Sequence, residues 1–152
     1  MKALFVFTPT ESKRLIGKAV AAMDEVKTAL KKANILVSHG STNVYVLEEI
    51  LGKDQLLKLM SPATYLSGII VRGNLCTTLD REKRPVVLLK KGVVTPPAPT
   101  LSGMLCDFGA DSVVIKGASA IDIEGNAGVL VSNPEGGRLD GRSGAFGREG
   151  SG

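Results

Sequence analysis

Asn34-Ile-Leu-Val-Ser-His-Gly-Ser-Thr-Asn-Val-Tyr-Val-Leu-Glu-Glu-Ile-Leu-Gly52 is the stretch whose reading decides the fold. Three consecutive apolar residues without alternation, Ile35, Leu36 and Val37, predict a strand over 35–38 that is buried on both faces. A loop of small and polar residues follows (38–42), then an apolar helix with Val44, Leu47, Ile50 and Leu51 turned inward. Gly52 supplies its stop. A loop between a strand and a helix amino terminus presents free backbone N–H groups and the positive end of a helix dipole, so it suits an anion. His39, the only histidine of the chain, lies in this loop. One of Ser41, Thr42 and Asn43 is expected to cap the helix, and all three can reach a ligand oxygen.

Working outward toward the amino end, Thr8-Pro9-Thr10-Glu11 reads as a capping box with proline at the first helical position. The helix it opens runs to about Lys31. Leu15, Ala19, Met23, Val26 and Leu30 form its apolar stripe, with Ile16 and Val20 widening it. Lys13, Arg14, Lys18, Lys27 and Lys31 form the solvated side. Asp24 is a potential second cap, which allows a break near Met23.

In the other direction, a weak helix is expected over 54–60, ended by Ser61-Pro62. Two strands around Arg72-Gly73-Asn74 give a hairpin within 67–78, and a charged loop over 80–84 follows. A strand over 85–89 ends at Lys90-Lys91-Gly92. The proline-rich residues 93–100 read as an extended connection and 101–108 as a helix. Further strands are expected over 112–116 and 128–131. Helices alternating with short unalternating strands predict an α/β fold, a Rossmann-like layered domain with a largely parallel sheet flanked by helices. Its strand carboxyl ends would gather three small-residue turns at one edge: 38–42, 116–119 and 132–137. Residues 1–135 form this single domain. Residues 136–152, nearly half glycine and holding only Leu139, Ala145 and Phe146 to bury, read as a flexible Gly/Arg-rich tail. The end reads as truncated or altered.

The 152 residues carry a formal net charge of +4 and 4% aromatics. The positive residues are scattered among acids, and stacking platforms for single strands are scarce. That argues against nucleic acid and for an anionic small molecule as partner. No apolar run approaches the ~20 residues of a membrane helix, and the apolar start is too short for a signal peptide. Cys76 and Cys106, without CxxC spacing, read as buried free thiols, which implies a reducing cytoplasm. One histidine and two separated cysteines cannot close a zinc shell. No metal or organic cofactor is called for.

Candidate chemistry gathers on few side chains. His39 suits a proton shuttle or phosphate contact, or a structural donor. Lys116, closing an apolar strand and followed by Gly117, could stabilise an enolate, hold a phosphate or form an imine; a solvated strand-end lysine is the plain alternative. Asp107, Asp111, Asp122 and Glu124 are candidate general bases, though Asp111-Ser112 and Glu124-Gly125-Asn126 also have the composition of turns.

Two blocks of these residues resemble the superfamily that contains ribose-5-phosphate isomerase, glucosamine-6-phosphate deaminase and the CoA transferases. The first is the helix–strand–Gly-Ser-Thr–helix order over 30–52. The second is Asp107-Phe-Gly-Ala-Asp111 followed by Ile115-Lys-Gly-Ala-Ser-Ala120 and Glu124. The resemblance implies that Gly40, Ser41 and Thr42 contact a phosphate or carboxylate. It also implies that Asp107 and Asp111 match the paired aspartates, Lys116 the lysine and Glu124 the acid. Phe108 is inserted relative to the family pattern, and the step from Asp111 to Lys116 is shorter. The expected function is binding of a phosphorylated or anionic metabolite at His39, Gly40, Ser41, Thr42, Asn43 and Gly117. Catalysis, if present, would be phosphosugar isomerisation by Lys116 with Asp107, Asp111 or Glu124. The alternatives are a non-catalytic sensing or assembly domain and a CoA-ester binder. An open sheet edge would favour a homo-oligomer.

Overall fold

The capping box forms as its residues require: Thr8 Oγ1 accepts from the Glu11 N–H at 3.3 Å, and the Glu11 carboxylate accepts from the Thr8 N–H at 2.8 Å. The bonds that its carboxylate accepts from the Thr8 N–H and hydroxyl hold the Glu11 carboxyl below its ordinary value. A computed structural model describes residues 3–71, 74–78, 82 and 84–129. The first helix, α1 (Pro9–Ala22), ends where Met23 turns extended, and α2 (Asp24–Lys32) starts one residue later. Asp24 does not cap it. It is the first helical residue, and with Glu25 it puts negative charge at the positive dipole end while Lys31 and Lys32 occupy the other.

The apolar stripe is turned on α1. Leu15, Ile16 and Met23 are exposed and the buried residue of α1 is Gly17, whereas Val26 of α2 is buried as expected, with Ala29 buried beside the half-buried Leu30. The reason lies in α3 (Asn43–Leu51), the main neighbour of α1. An added Cβ on Gly17 would stand 2.8 Å from the Tyr45 backbone carbon, so a glycine defines the contact line. Arg14 stays exposed, as expected, but is not merely solvated: it reaches Glu48 at 2.9 Å and lies over the Tyr45 ring at 4.9 Å. This pairing raises its pKa further.

After α2 the chain enters β1 (Asn34–Val37), one of the two inner strands of a four-stranded sheet whose order is β5 (Val93–Thr95), β4, β1, β6. Its partners are β4 (Val87–Lys90), antiparallel, and β6 (Val113–Ile115), parallel. The fold is thus a small mixed α/β sheet, and the largely parallel arrangement is corrected. An unalternating run reports burial on both faces; it carries no information on strand direction. Ile35, Val37, Val87, Leu89 and Ile115 pack with α2, α3 and Leu56 of α4 (Lys53–Leu59) on one face. Leu36 and Leu88 meet Val86 and Met104 of α5 (Leu101–Leu105) on the other.

The other expectations sort by turn chemistry. Gly52 ends α3 at φ +81°. The hairpin of β2 (Gly68–Val71) and β3 (Asn74–Thr77) forms, with Arg72 and Gly73 outside the described residues. Residues 93–95, read as connection, form β5 (Val93–Thr95), hydrogen-bonded back to β4. The two-residue turn Lys91-Gly92 has positive φ at both positions (+49° and +77°), as a type I′ hairpin demands. Lysine at the first of them hid the signal. Gly92→Ala is expected to cost ~1–3 kcal/mol in a urea titration, because a side chain there is strained and its Cβ would lie 3.0 Å from the Leu30 carbonyl oxygen.

Of the strand expected over 128–131, residues 130–131 lie outside the described residues and Gly128 falls in a different pairing from the one expected. Ala127 and Gly128 form β8 (Ala127–Gly128), which pairs with β7 (Ala120–Ile121) in a separate two-stranded hairpin rather than in the main sheet. Gly125, at φ +87°, turns this hairpin. The turn over 132–137 and the tail over 136–152 lie outside the described residues. Cys106 is exposed rather than buried, its thiol donating to the Gly103 carbonyl at 3.1 Å where α5 ends. The side chain of Cys76 lies outside the described residues. Among the described residues no helix is long and apolar enough to cross a membrane.

Candidate functional site

Because β1 and β6 are parallel and in register, Val37 stands beside Ile115, and the Ser38 N–H donates to the Ile115 carbonyl at 2.9 Å. Loop 38–42 and turn 116–119 therefore leave the sheet at one edge, with Lys116 next to Ser38. Two of the three expected turns meet there. Neighbouring β4 is antiparallel, so it brings its start, including Arg84, to the same edge.

The corner is held by a residue that sequence reasoning passed over. Tyr65 is fully buried. Its hydroxyl donates to the Val37 carbonyl at 2.5 Å and accepts from the Val87 N–H at 3.0 Å. Its own carbonyl accepts from the Gly40 N–H at 3.0 Å. Val37 and Val87 are opposite each other in the ladder, so the hydroxyl bridges the rung where the two strands part. The His39 ring rests 5.1 Å from the Tyr65 ring and its Nε2–H donates to the Arg84 carbonyl at 2.5 Å. That bond commits Nε2 to a structural donor role. Nothing in the sequence marks Tyr65 as special beyond being one of two tyrosines.

The loop also spends some groups expected to bind ligand. The Gly40 N–H is taken by Tyr65, and a Cβ at Gly40 would meet the Asn43 side chain at 3.3 Å. Asn43 is 3% exposed, and its Nδ2 donates inward to the Ser38 carbonyl at 2.9 Å. Asn43 thus closes the loop instead of reaching solvent. The expected side-chain cap is corrected: Thr42, at φ −78° and ψ −38°, already has helical geometry and makes no cap bond. Helical dihedrals at that position turn its hydroxyl away from the amides it would have served. The backbone N–H groups of Ser41 and Thr42, ahead of these helical amides, meet no acceptor among the described residues. Both residues are half-buried at the start of a nine-residue helix. Lys116 is exposed, with no carboxylate in ion-pair reach among the described residues. Gly117 has open space around its Cβ position and no positive φ, so no steric demand requires glycine there.

The acids are placed elsewhere. Asn34 pairs with Lys90 at the opposite end of β1. At that end Asp107 accepts from Lys90 Nζ at 2.6 Å while its backbone carbonyl accepts from Asn34 Nδ2 at 2.8 Å. Lys90 holds the Asp107 carboxyl below its ordinary value and is itself raised. Asp111 pairs with Lys32 at 3.2 Å, where α2 hands over to β1. A four-residue strand, about 10 Å along its axis, separates both aspartates from loop 38–42. They do not join His39, Gly40, Ser41 and Thr42 in one site. The reason is topological: residues 107–111 lead into the amino end of β6, and parallel pairing fixes that end beside Asn34.

Glu124 sits in the β7–β8 turn, exposed, its N–H donating to Asp122 Oδ1 at 3.0 Å. Asp122 also takes the Asn126 N–H and Nδ2, at 2.8 and 2.7 Å, which keeps its carboxyl low. The turn reading of these residues is the one realised. An open hollow of about 490 Å³ lies between α3 and α4, lined by Leu51, Gly52, Lys53, Asp54, Gln55 and Lys58. It is remote in sequence from the strand edge and shares no residue with it. Among the described residues no three His, Cys, Asp or Glu side chains gather as metal ligands.

Comparison with protein-family models, curated proteins and solved structures finds no match to this chain.

Proposed function

We propose that this chain binds a small phosphorylated or carboxylated metabolite at the carboxyl edge of β1 and β6, and that it does so as a sensing or carrier domain rather than as an isomerase. The observation that carries the reading is the unanswered pair of N–H groups at Ser41 and Thr42. They open α3 beside the Lys116 position that the parallel register puts across from Ser38. Backbone donors at a helix start and a cation close by are what an anion of one or two charges requires. The resemblance to the ribose-5-phosphate isomerase superfamily is kept for this Gly-Ser-Thr corner and for a Rossmann-like layering around it. Proton abstraction by Asp107 or Asp111 has no support. Asp107 and Asp111 are paired with lysines at the far edge, and a carboxylate must reach hydrogen-bond distance of the proton it moves.

The test is a thermal-shift series with inorganic phosphate, ribose 5-phosphate and an acyl-CoA, followed by amide NMR. A ligand at a hundred times its Kd adds about 2.7 kcal/mol to stability, and the amides of Ser41 and Thr42 are expected to shift most. Thr42→Pro, which deletes a donor that no internal bond uses, and Lys116→Ala should each weaken binding about five- to tenfold, or ~1–1.4 kcal/mol. If both variants bind as the parent does, the site is misplaced. Exchange of solvent deuterium into bound ribose 5-phosphate would restore the isomerase reading.

A further inference from the structure

The sheet has two outer strands, and the chain treats them differently. β5 runs directly into Pro96 and Pro97, which have no N–H to offer. That edge is blunted against further pairing. β6 has no such device. Ile115 turns its carbonyl inward to Ser38, so the alternation of a strand turns the N–H and C=O of Val114 outward. Among the described residues neither group has a partner, and the Val114 side chain is 40% exposed.

The same chain carries a segment suited to that edge. Residues 4–7, Leu-Phe-Val-Phe, precede α1 outside any helix or strand, with Leu4 91%, Phe5 73% and Val6 89% exposed. At such exposure Leu4, Phe5 and Val6 are left largely uncovered in their own copy, and Phe7 is half exposed. Phe5 and Phe7 stack with ring centroids 6.3 Å apart, so alternate residues share a side, as in a strand. Apolar, β-branched and aromatic residues in that alternation are the composition strands favour.

We propose that residues 4–7 of one copy add as a strand to the open edge of β6 in a second copy, and that the exchange is reciprocal. A second copy is the occupant because donor segment and acceptor edge lie on one chain, and a two-fold arrangement satisfies both pairs and closes. Area supports this choice. A buried phenylalanine removes ~150–250 Å². Phe5, Phe7, Leu4 and Val6, together with the exposed Leu15 and Ile16 of α1, offer on the order of 800 Å² per copy, the size of a standard stable interface.

Light scattering of the full chain, from low to high micromolar concentration, is expected to give twice the chain mass. Phe5→Glu with Phe7→Glu should raise the dimer dissociation constant at least tenfold while leaving the circular dichroism spectrum unchanged. A benzophenone amino acid in place of Val6, in a mixture of light and nitrogen-15 chains, should cross-link heavy to light at residues 113–116. A monomer at every concentration overturns the proposal, as does a dimer indifferent to both glutamates. So do cross-links confined to a single chain, or a monomer that instead binds lipid vesicles through Phe5 and Phe7.

Discussion

Tyr65→Phe is expected to lower the unfolding free energy by ~2–4 kcal/mol, measured by urea titration at neutral pH, although it removes a single oxygen. The ring itself is replaced without loss of volume, so cavity terms are small. What changes is the rung between β1 and β4. The Val37 carbonyl and the Val87 N–H each use the Tyr65 hydroxyl as partner, and both residues are buried. Leaving a buried backbone group unpaired costs ~1–3 kcal/mol, and here two are orphaned at once. A gain of hydrophobicity from the missing hydroxyl offsets only part of this. The damage should spread locally to loop 38–42, because the Gly40 N–H and the His39 ring both rest on Tyr65. Faster hydrogen exchange at Gly40 would report it.

The same substitution makes a pH prediction. Burial pushes the Tyr65 phenol well above its ordinary value near 10, and the bond from Val87 opposes that only in part. The folded state therefore holds this proton more tightly than the unfolded chain does. Its contribution to stability is complete below about pH 10. Above that it falls as pH rises toward the folded-state value, at up to ~1.4 kcal/mol per pH unit. Tyr65→Phe has no such proton to lose. The gap between parent and variant should stay constant from pH 6 to about 9 and shrink above about 10. A gap that widens with alkali would contradict this placement of the hydroxyl.

Local chemistry was legible in the sequence wherever one residue type decides the backbone. Thr8 and Glu11 close their box, and Gly52 stops α3 at positive φ. Ile35, Leu36 and Val37 are buried on both faces as their pattern demanded. Direction and pairing were not legible. Nothing in Val87-Leu-Leu-Lys90 distinguishes an antiparallel neighbour of β1 from a parallel one, and Lys91-Gly92 conceals a tight hairpin behind an uncommon first residue. The site divided along the same line. Loop 38–42 and Lys116 reached one edge because strand ends carry them there, whereas Asp107 and Asp111 went to the other because they lie before β6 instead of after it. Tyr65 was invisible because its role exists only between two strands distant from it in sequence.

Gly17→Leu is expected to have the larger effect of any change on α1, with a loss above ~3 kcal/mol and release of the helix from α3. Even Gly17→Ala should destabilise, and here two effects of opposite sign must be compared. Alanine raises helix propensity by ~1 kcal/mol over glycine at an interior position. Against this, its Cβ would stand 2.8 Å from both the backbone carbon and the Cβ of Tyr45, well inside normal contact. The obstacle includes main chain in the first turn of α3, which cannot rotate aside as a side-chain tip would. Helix α1 must back away by several tenths of an ångström, stretching the Arg14–Glu48 pair from 2.9 Å and lifting Arg14 off the Tyr45 ring. Overpacking of this kind costs ~1–3 kcal/mol, so the net change for alanine should be a loss of up to ~2 kcal/mol. An exposed position on the same helix supplies the control: Lys18→Ala, free of any such contact, should be within ~0.5 kcal/mol of the parent. A stabilised Gly17→Ala protein in urea titration would mean that α1 does not pack on α3 through this glycine.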